Sequence, residues 1–443
     1  MPKNDSETAD SPIDVRTLTR VGKGTPMGEF MRQYWVPALM SSELERDREP
    51  IRLMLLGEKL IAFRDSSGRV GIFDERCPHR GVSLFLGRNE ADGLRCVYHG
   101  WKFDTSGRCV DMPNLPAQQG AVPKVRAKAY PATEQAGLVW VYMGSRQTPP
   151  PMPRIEAAML PHGDATVYAV LRECNWLQMT EGDLDTSHFG FLHTGSVDPE
   201  EFDEDNPIRY TTENRAPVYV CNETPWGTSY GAHRETKDGQ IYWRIANYMF
   251  PFWAQTPLGD FDDHIDARAF VPMDDEHTMQ FHIAWSKKSK PMSGLNKRGE
   301  QIPGLTIENR YLPNTTDWFG RWRSAFNRRN DWLIDRKAQR EGVSYTGIAD
   351  IRAQDQAALE SMGPIVSHAD EHLMASDLMI VKTRRRIIRA LQDFVERGTP
   401  PPGVDDPEIF FRARSGTFFA DPAVSWPEVV DRKWAGVLHL DPA

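Results

Sequence analysis

The sequence predicts an α+β protein in which an all-β domain precedes a larger domain of mixed sheet and helices. Short apolar runs separated by turn signals occupy residues 51–143, and Asp65-Ser66-Ser67-Gly68 is typical of a hairpin turn between two such strands. After a proline cluster at 149–153, longer apolar runs alternate with segments in which apolar residues recur every three or four positions. We therefore divide the chain into an N-terminal segment (1–34), an all-β domain (35–148) and an α+β domain (149–443).

The elements of the second domain follow from the spacing of its apolar residues. The N-terminal residues 1–15 are polar and expected to be loose, and the last forty or so residues, which contain Pro400-Pro401-Pro402-Gly403, are expected to wrap the surface. The predicted strands are Thr166–Arg172, Val218–Val220, Trp243–Tyr248, His264–Val271 and Met279–Trp285, and the predicted helices are Asp355–Met362 and Glu371–Phe394.

The composition excludes several classes of protein. The 443 residues are 40% hydrophobic and 26% charged, so the chain can bury a core without disulfides, and its net charge of −9 argues against nucleic acid as a partner. No apolar run reaches the roughly 18 residues of a transmembrane helix, and the start lacks the features of a signal peptide. The five cysteines do not form a disulfide framework. We expect a cytoplasmic protein that does not bind a membrane.

Two cysteines and two histidines form the strongest motif. Sixteen residues separate Cys77-Pro78-His79 from Cys96-Val97-Tyr98-His99, and each half offers one thiolate and one imidazole on a short loop. Zinc and iron–sulfur centres both accept two sulfur and two nitrogen ligands. Because zinc fingers usually supply cysteines and histidines as separate pairs, the mixed loops favour a Rieske [2Fe–2S] cluster over a zinc knuckle. Neither loop contains the further cysteine of respiratory-chain Rieske proteins, which favours the oxygenase or ferredoxin type.

A second set of candidate ligands lies further along the chain. His188 and His193 are five residues apart, so we expect a bend or bulge near Gly190 to bring them together. Two imidazoles and one carboxylate form a facial triad that leaves positions on Fe(II) open. Asp355, at the start of a predicted helix, is the preferred third ligand, and the weaker candidates are Glu360 and Asp377.

Asp185 precedes His188 by three residues and falls on the same face of one helical turn. It can accept a hydrogen bond from the ring N–H of His188 and so fix its tautomer. This position also makes Asp185 a natural link between two metal centres, although an acid on a helix surface remains the alternative.

These motifs together resemble the oxygenase (alpha) component of Rieske non-heme iron oxygenases, and the phthalate dioxygenase type in particular. The resemblance covers nearly the whole chain, and its further landmarks are Gly24-Thr25-Pro26-Met27-Gly28, Tyr34-Trp35, Asn175-Trp176, Glu181, Gln354-Asp355 and Glu360-Ser361-Met362-Gly363-Pro364-Ile365. It implies a Rieske domain followed by a helix-grip catalytic domain. It also implies a homotrimer or hexamer in which the cluster of one subunit faces the iron of its neighbour across Asp185. Ser367-His368-Ala369-Asp370 departs from the family, in which we expect a more basic residue.

The resemblance also implies the reaction and its partners. Electrons come from a separate NAD(P)H reductase that carries flavin and an iron–sulfur cluster, because this sequence has neither a second four-cysteine set nor a dinucleotide fingerprint. With a mononuclear Fe(II) and O₂, we expect dihydroxylation of a phthalate-like aromatic carboxylate. The alternatives are a monooxygenase that demethylates or hydroxylates an aromatic or heterocyclic compound, and a carrier that holds only the cluster.

Four side chains are candidates for contact with the substrate. A carboxylate favours a guanidinium, and Arg234 and Arg244 lie on strand-like runs, although either could be a surface charge or pair with an acid such as Glu235. Asn175 and Gln178 can line the iron pocket or, equally, satisfy buried backbone groups.

Overall fold

The computed structural model describes residues 13–116, 125–161, 163–204, 206–285 and 294–436. Most of the N-terminal stretch that we expected to be loose, residues 1–12, lies outside these ranges. Two short helices, α1 (Val15–Leu18) and α2 (Pro26–Met31), precede the first strand. The helix α2 begins at Pro26 because the Thr25 side chain accepts a hydrogen bond from the Gly28 amide, at 3.1 Å.

Among the described residues, three small antiparallel sheets form the N-terminal domain, which confirms its prediction as all-β. They pair in the orders β1-β11-β10, β2-β3-β4-β9 and β5-β6-β7-β8. The strands are β1 (Trp35–Met40), β2 (Ile51–Leu55), β3 (Glu58–Arg64), β4 (Val70–Asp74), β5 (Arg88–Glu90), β6 (Gly93–Arg95), β7 (Lys102–Phe103), β8 (Cys109–Asp111), β9 (Ala129–Tyr130), β10 (Ala132–Gln135) and β11 (Leu138–Tyr142).

The second domain is built on one antiparallel sheet, in which the described strands follow the order β12-β18-β17-β16-β15-β14-β13, with β19 beside β15. Tyr168 of the first strand lies opposite His282, and His282 lies opposite Arg268, so these side chains form a row across three strands. The strands are β12 (Ala165–Arg172), β13 (Val218–Thr224), β14 (Gly227–Glu235), β15 (Ile241–Met249), β16 (Trp253–Gln255), β17 (Asp266–Pro272), β18 (Thr278–Trp285) and β19 (Gly416–Ala420).

Helices pack onto this sheet, so the predicted α+β class is confirmed. They are α3 (Trp176–Leu184), α4 (Pro207–Glu213), α5 (Arg336–Arg340), α6 (Ile351–Ser361), α7 (Leu378–Arg397) and α8 (Trp426–Gly436). The helix α3 contacts β16, β17 and α6, and α7 contacts β13 and β14. At the α3–α6 contact, a side chain at Gly182 would meet the Leu359 side chain at 2.5 Å, so glycine permits the close approach of the two helices. None of the helices in the described ranges combines the length and apolar character needed to cross a membrane.

Three predicted elements need correction. The helix expected from Asp355 begins at Ile351, because the Asp350 side chain caps it, so Asp355 lies inside the helix and does not open it. The helix expected from Glu371 begins at Leu378, because the preceding residues form short 3₁₀ turns at 368–370 and 375–377. The C-terminal residues do not only wrap the surface, since β19 is a largely buried strand that pairs with Ile241–Ile245 of β15. Its partner lies far away in the sequence, so no local pattern indicated the pairing.

The two domains share a hydrophobic core. The sheet β1-β11-β10 packs against the sheet of the second domain, and Trp140 of β11 stacks on Trp253 of β16 with ring centroids 5.6 Å apart. A second, smaller core lies beneath the loops that contain Cys77 and Cys96. These two loops are therefore supported by packing of their own within the N-terminal domain.

Candidate active site and cluster-binding loops

Two loops with the same local geometry present the cysteines and histidines of the first motif. In the loop between β4 and β5 the Cys77 amide donates to Val82 O at 2.8 Å and the Gly81 amide to Cys77 O at 2.9 Å. In the loop between β6 and β7 the Cys96 amide donates to Trp101 O at 2.8 Å and the Gly100 amide to Cys96 O at 3.0 Å. Both glycines have φ near +75°, which favours glycine, so the two halves are local repeats of one turn.

The side chains of these loops fit an iron–sulfur cluster. Cys77 and Cys96 are buried at 3% exposure, and the rings of His79 and His99 lie 4.4 Å apart. His99 Nδ1 is buried and has no hydrogen-bond partner among the described residues, as expected of an atom reserved for a ligand bond. Trp101 stacks on His79 at 4.2 Å and covers one side of the pair. Two thiols and two imidazoles on a pair of adjacent loops are the donor set of a Rieske centre.

A π-helical turn at Phe189–His193 follows α3 and confirms the bulge expected near Gly190. The i→i+5 hydrogen bond from the Thr194 amide to Phe189 O, 3.2 Å long, adds one residue to the turn. This extra residue turns His188 and His193 to the same side, with their rings 5.1 Å apart.

The carboxylate of Asp355, on α6, faces both imidazoles. Its Oδ1 lies 3.5 Å from His188 Nε2 and 3.0 Å from His193 Nε2, and one ligand atom from each of the three residues falls within 4.8 Å of the others. Burial alone would raise the pKa of Asp355, but the neighbouring His193 and His188 lower it below its ordinary value. An ionised carboxylate beside two imidazole nitrogens is the donor set of a two-histidine, one-carboxylate iron site.

Gln354 fixes the orientation of His193, a role that sequence reasoning missed. Its Oε1 lies 2.7 Å from His193 Nδ1, and its Nε2 donates to the backbone oxygens of Gly304 and Ile348 at 2.8 and 2.7 Å. Because those two bonds fix which end of the amide is oxygen, His193 Nδ1 must carry the proton and Nε2 is left free to bind a metal.

Asp185 ends α3 and lies beside the other histidine. Its Oδ1 accepts a 2.6 Å hydrogen bond from the Ser187 amide, and its Oδ2 lies 3.6 Å from His188 Nδ1. Burial would raise the pKa of Asp185, but His188 and nearby backbone amides lower it, so the group is a carboxylate at neutral pH. The structure thus brings Asp185 to the back of the His188 ring.

A cavity of about 400 Å³ opens beside the three candidate ligands. Side chains of the second domain's sheet form one wall, and residues from α3, α6 and the loop at 256–258 close the cavity. Apolar and aromatic residues alternate with buried polar groups along this lining, as in pockets that hold small organic molecules. The aromatic and apolar lining includes Met179, Phe189, Tyr230, Leu258, Phe270 and Trp285.

Arg244 lines this cavity, and Arg234 lies outside the lining, on the same face of the adjacent strand and diagonal to Arg244. Both are almost completely buried, and neither pairs with a carboxylate among the described residues. Arg244 Nε donates to Thr186 Oγ1 at 3.2 Å and Arg234 Nε to Asn214 O at 2.6 Å. Burial and the charge of Arg244 lower the pKa of Arg234 to about 10. Two buried guanidinium groups without a counter-charge favour binding of an anion.

Asn175 and Gln178 do not reach the cavity lining, so their proposed contact with substrate needs correction. Asn175 caps α3 and donates to Thr19 O and Asp275 O at 2.9 and 2.6 Å. Gln178 donates to Leu359 O and Gly363 O, both at 3.0 Å, and accepts from the Val366 amide. Both amides therefore satisfy buried backbone groups, which was the alternative.

The two weaker candidates for the third ligand are also engaged elsewhere. The Glu360 carboxylate accepts from the Glu173 amide, Gln356 and Trp332, and the Asp377 carboxylate accepts from the Met374 amide at 2.7 Å. Neither lies with His188 and His193 in the group of three.

Comparisons with known proteins agree with this architecture. Residues 34–131 match the Rieske [2Fe-2S] domain family, and residues 141–418 match the family described as LigXa C-terminal domain like. Over 428 residues the chain is 49% identical to the 3-chlorobenzoate-3,4-dioxygenase oxygenase subunit of Comamonas testosteroni, which covers 96% of this chain and 99% of that protein. The chain belongs to the Rieske oxygenases. This oxygenase is therefore an enzyme whose N-terminal domain carries a [2Fe–2S] cluster and whose chemistry uses mononuclear iron and O₂.

Two further relatives indicate how broad the family of this oxygenase is. It is 34% identical to the phthalate 4,5-dioxygenase oxygenase subunit of Pseudomonas putida, with 96% of each chain covered. It is also 31% identical to the 5,5'-dehydrodivanillate O-demethylase oxygenase subunit of a Sphingobium strain, over 96% of this chain and 90% of that one. Because residues 141–418 match a second family model and the relatives over nearly the full length are oxygenase subunits, the carrier alternative is excluded.

A solved structure shares the fold of this oxygenase. A mutant NdmA of Pseudomonas putida CBB5 with theobromine superposes with a TM-score of 0.54 at 19% identity, covering 90% of this chain and 99% of that chain.

Proposed function

We propose that this oxygenase dihydroxylates the ring of an aromatic carboxylate, with a mononuclear iron held by His188, His193 and Asp355. In the same proposal Cys77, His79, Cys96 and His99 hold the [2Fe–2S] cluster, and Asp185 links the two centres. The iron, when bound, supplies O₂ activation with electrons delivered through the cluster. The chain itself holds the ring beside the iron, keeps water from the cavity and fixes the protonation of the imidazoles.

The proposed substrate class rests on one observation, the burial of Arg244 in the cavity wall without a counter-charge. Arg244 is buried, lines the cavity and has no acidic partner among the described residues, and Arg234 adds a second positive charge diagonal to it on the adjacent strand. A substrate carboxylate would supply the missing counter-charge and accept hydrogen bonds from the guanidinium. The names of two relatives, a 3-chlorobenzoate dioxygenase subunit and a phthalate dioxygenase subunit, support the same class.

Monooxygenation remains the second candidate, because one relative is an O-demethylase subunit at 31% identity. Turnover under ¹⁸O₂ with a panel of benzoates, phthalates and methoxybenzoates separates the two. Incorporation of both labelled atoms into a ring diol supports the proposal. Incorporation of one labelled atom, or release of formaldehyde from the methoxy compounds as the main reaction, contradicts it.

The assignment of Arg244 has its own test. We expect Arg244→Met to raise KM for a benzoate by about 10- to 100-fold, since hydrogen bonds to charged groups contribute roughly 1.5–3 kcal/mol. Arg244→Lys keeps the charge but loses the bidentate geometry, so its KM should fall between those of the wild type and Arg244→Met. The matching benzamide is the control, because its KM should change little. Equal changes for the acid and the amide would remove Arg244 from carboxylate recognition.

We also propose that electrons reach this oxygenase from a separate NAD(P)H reductase with flavin and an iron–sulfur cluster, and that the chain assembles as a homotrimer or hexamer. The relatives are subunits of multicomponent systems, which supports a separate electron donor. The loop from Cys96 to His99 exposes the side chains of Val97 and Tyr98, and these apolar groups support a contact with another protein at that surface.

A further inference from the structure

A histidine–aspartate–histidine cluster lies on the sheet wall of the same cavity, and the proposed function gives it no role. Asp266, at the start of β17, is completely buried between two imidazoles that both line the cavity. Its Oδ2 lies 3.2 Å from His282 Nε2 on β18, and its Oδ1 lies 3.0 Å from His264 Nε2 and 3.3 Å from Ser415 Oγ.

The cluster fixes the protonation of His282. Burial alone would raise the pKa of Asp266, but the two histidines lower it well below its ordinary value, so Asp266 is a carboxylate. A carboxylate only accepts hydrogen bonds, so His282 Nε2 must carry the proton that it donates to Asp266. Burial, with a smaller contribution from Arg268, lowers the pKa of His282 to about 4. The ring is therefore neutral, and its Nδ1 carries a lone pair.

His282 Nδ1 has no hydrogen-bond partner among the described residues, although the side chain is about nine-tenths buried. The ring stands on the cavity face of the sheet, between Tyr168 and Arg268 in the cross-strand row, and Tyr168 packs edge-on against it at 4.8 Å. Arg268 is itself paired with Asp183 and does not serve the ring. A buried acceptor without a partner destabilises the ligand-free protein, and a hydrogen-bond donor on a ligand can recover that loss.

We propose that His282 is a specificity-determining residue that accepts, through Nδ1, a hydrogen bond from a hydroxyl or amino substituent on the substrate ring. The inference rests on the proposed function, because it needs the ring to occupy this cavity. It adds a second recognition element on a different strand from Arg244, so different strands of the same sheet wall would bind the carboxylate and the donor substituent. A neutral acceptor does not favour a second carboxylate at this position.

The test compares dissociation constants, measured by calorimetry without O₂ or reductant, for a benzoate with a ring hydroxyl and the same benzoate with chlorine in its place. We expect the wild type to bind the hydroxylated benzoate more tightly than the chlorinated one. In His282→Leu, the dissociation constant of the hydroxylated benzoate should rise by about 10- to 100-fold, whereas that of the chlorinated benzoate should change by no more than about threefold. His282→Gln keeps a side-chain acceptor and should restore part of the preference. The hydroxyl is placed at each of the three ring positions in turn, because His282 has a fixed place in the cavity and only one of these positions need face it.

Each outcome bears on one proposal only. No preference in the wild type at any ring position, or equal losses for both ligands in His282→Leu, overturns the role of His282. Selective loss of binding of a benzene dicarboxylate in His282→Leu overturns it as well, because the ring would then act as a protonated donor. Failure of the proposed function appears separately, as unchanged binding of both benzoates in Arg244→Met.

Discussion

At the scale of single residues, neighbours outside the ligand set decide which nitrogen of each histidine can bind a metal. Gln354 is held by two backbone oxygens and accepts from His193 Nδ1, while Asp185 lies 3.6 Å behind the corresponding atom of His188. The contact of Asp185 is longer than an ordinary hydrogen bond. His193 is therefore the more firmly oriented ligand, and His188 has more freedom to move.

Replacing Gln354 with leucine should weaken the mononuclear site without affecting the cluster. The variant removes the acceptor that fixes the tautomer of His193, and changes of this kind typically cost about 10- to 100-fold in metal affinity. The measurement is iron content after dialysis against a weak chelator, with the visible absorption of the cluster recorded on the same sample. Gln354→Glu keeps an acceptor for His193 but loses the donor to Gly304 and Ile348, so it should retain more iron than Gln354→Leu and less than the wild type. Unchanged iron retention in Gln354→Leu would contradict the orienting role.

How far the sequence predicted the site depends on the range of the interactions. The spacing of His188 and His193 already required a bulge near Gly190. Asp355 was the preferred third residue because it was expected to open a helix, and it does lie beside both imidazoles, although from inside α6. The role of Gln354 depends on His193 and Gly304, which lie 161 and 50 residues away, and the role of His282 depends on the pairing of two strands, so no local pattern revealed them. A motif indicates which residues bind, whereas the hydrogen bonds that orient them require the fold.

At the scale of secondary structure elements, a buried ion pair network ties α3 to α7. Arg384 donates to both oxygens of Glu181, the closer at 2.5 Å, and to both oxygens of Glu371, again as close as 2.5 Å. His368 lies 3.0 Å from Glu371, so the segment that departs from the family pattern joins the same network. Because α3 leads directly into Asp185 and His188, this network holds the element that presents them.

We expect Arg384→Met to lower the free energy of unfolding by about 3–5 kcal/mol, since it leaves the buried Glu181 without a counter-charge. Denaturant unfolding followed by tryptophan fluorescence measures the change. The exposed neighbour provides the control, and Arg385→Met should change stability by less than about 0.5 kcal/mol. If both variants are equally stable, the network contributes nothing to holding α3.

At the scale of the whole molecule, the cluster loops and the metal site lie in two domains that share a core, and each presents apolar side chains to solvent. Val97 and Tyr98 beside the cluster are 51% and 52% exposed, and Phe191 in the π-helical turn is 49% exposed. Exposed apolar groups at both centres favour a contact between subunits in which electrons cross from one chain to the next.

Hybrid oligomers test this crossing. A Cys96→Ala chain lacks the cluster and a His188→Ala chain lacks the iron, so each variant alone should be inactive. When the two are co-expressed with different affinity tags and purified through both tags, we expect part of the activity to return, because an intact cluster then faces an intact iron. If doubly tagged material is as inactive as the single variants, transfer occurs within one chain.

Iron and acid-labile sulfide analysis of protein reconstituted without oxygen tests the central claim most directly, that one chain holds both a [2Fe–2S] cluster and a separate mononuclear iron. The account predicts about three irons and two sulfides per chain in the wild type, and about two irons with unchanged cluster absorption in His193→Ala. A wild type with only about two irons per chain, or a variant that loses its cluster absorption together with the third iron, would contradict it.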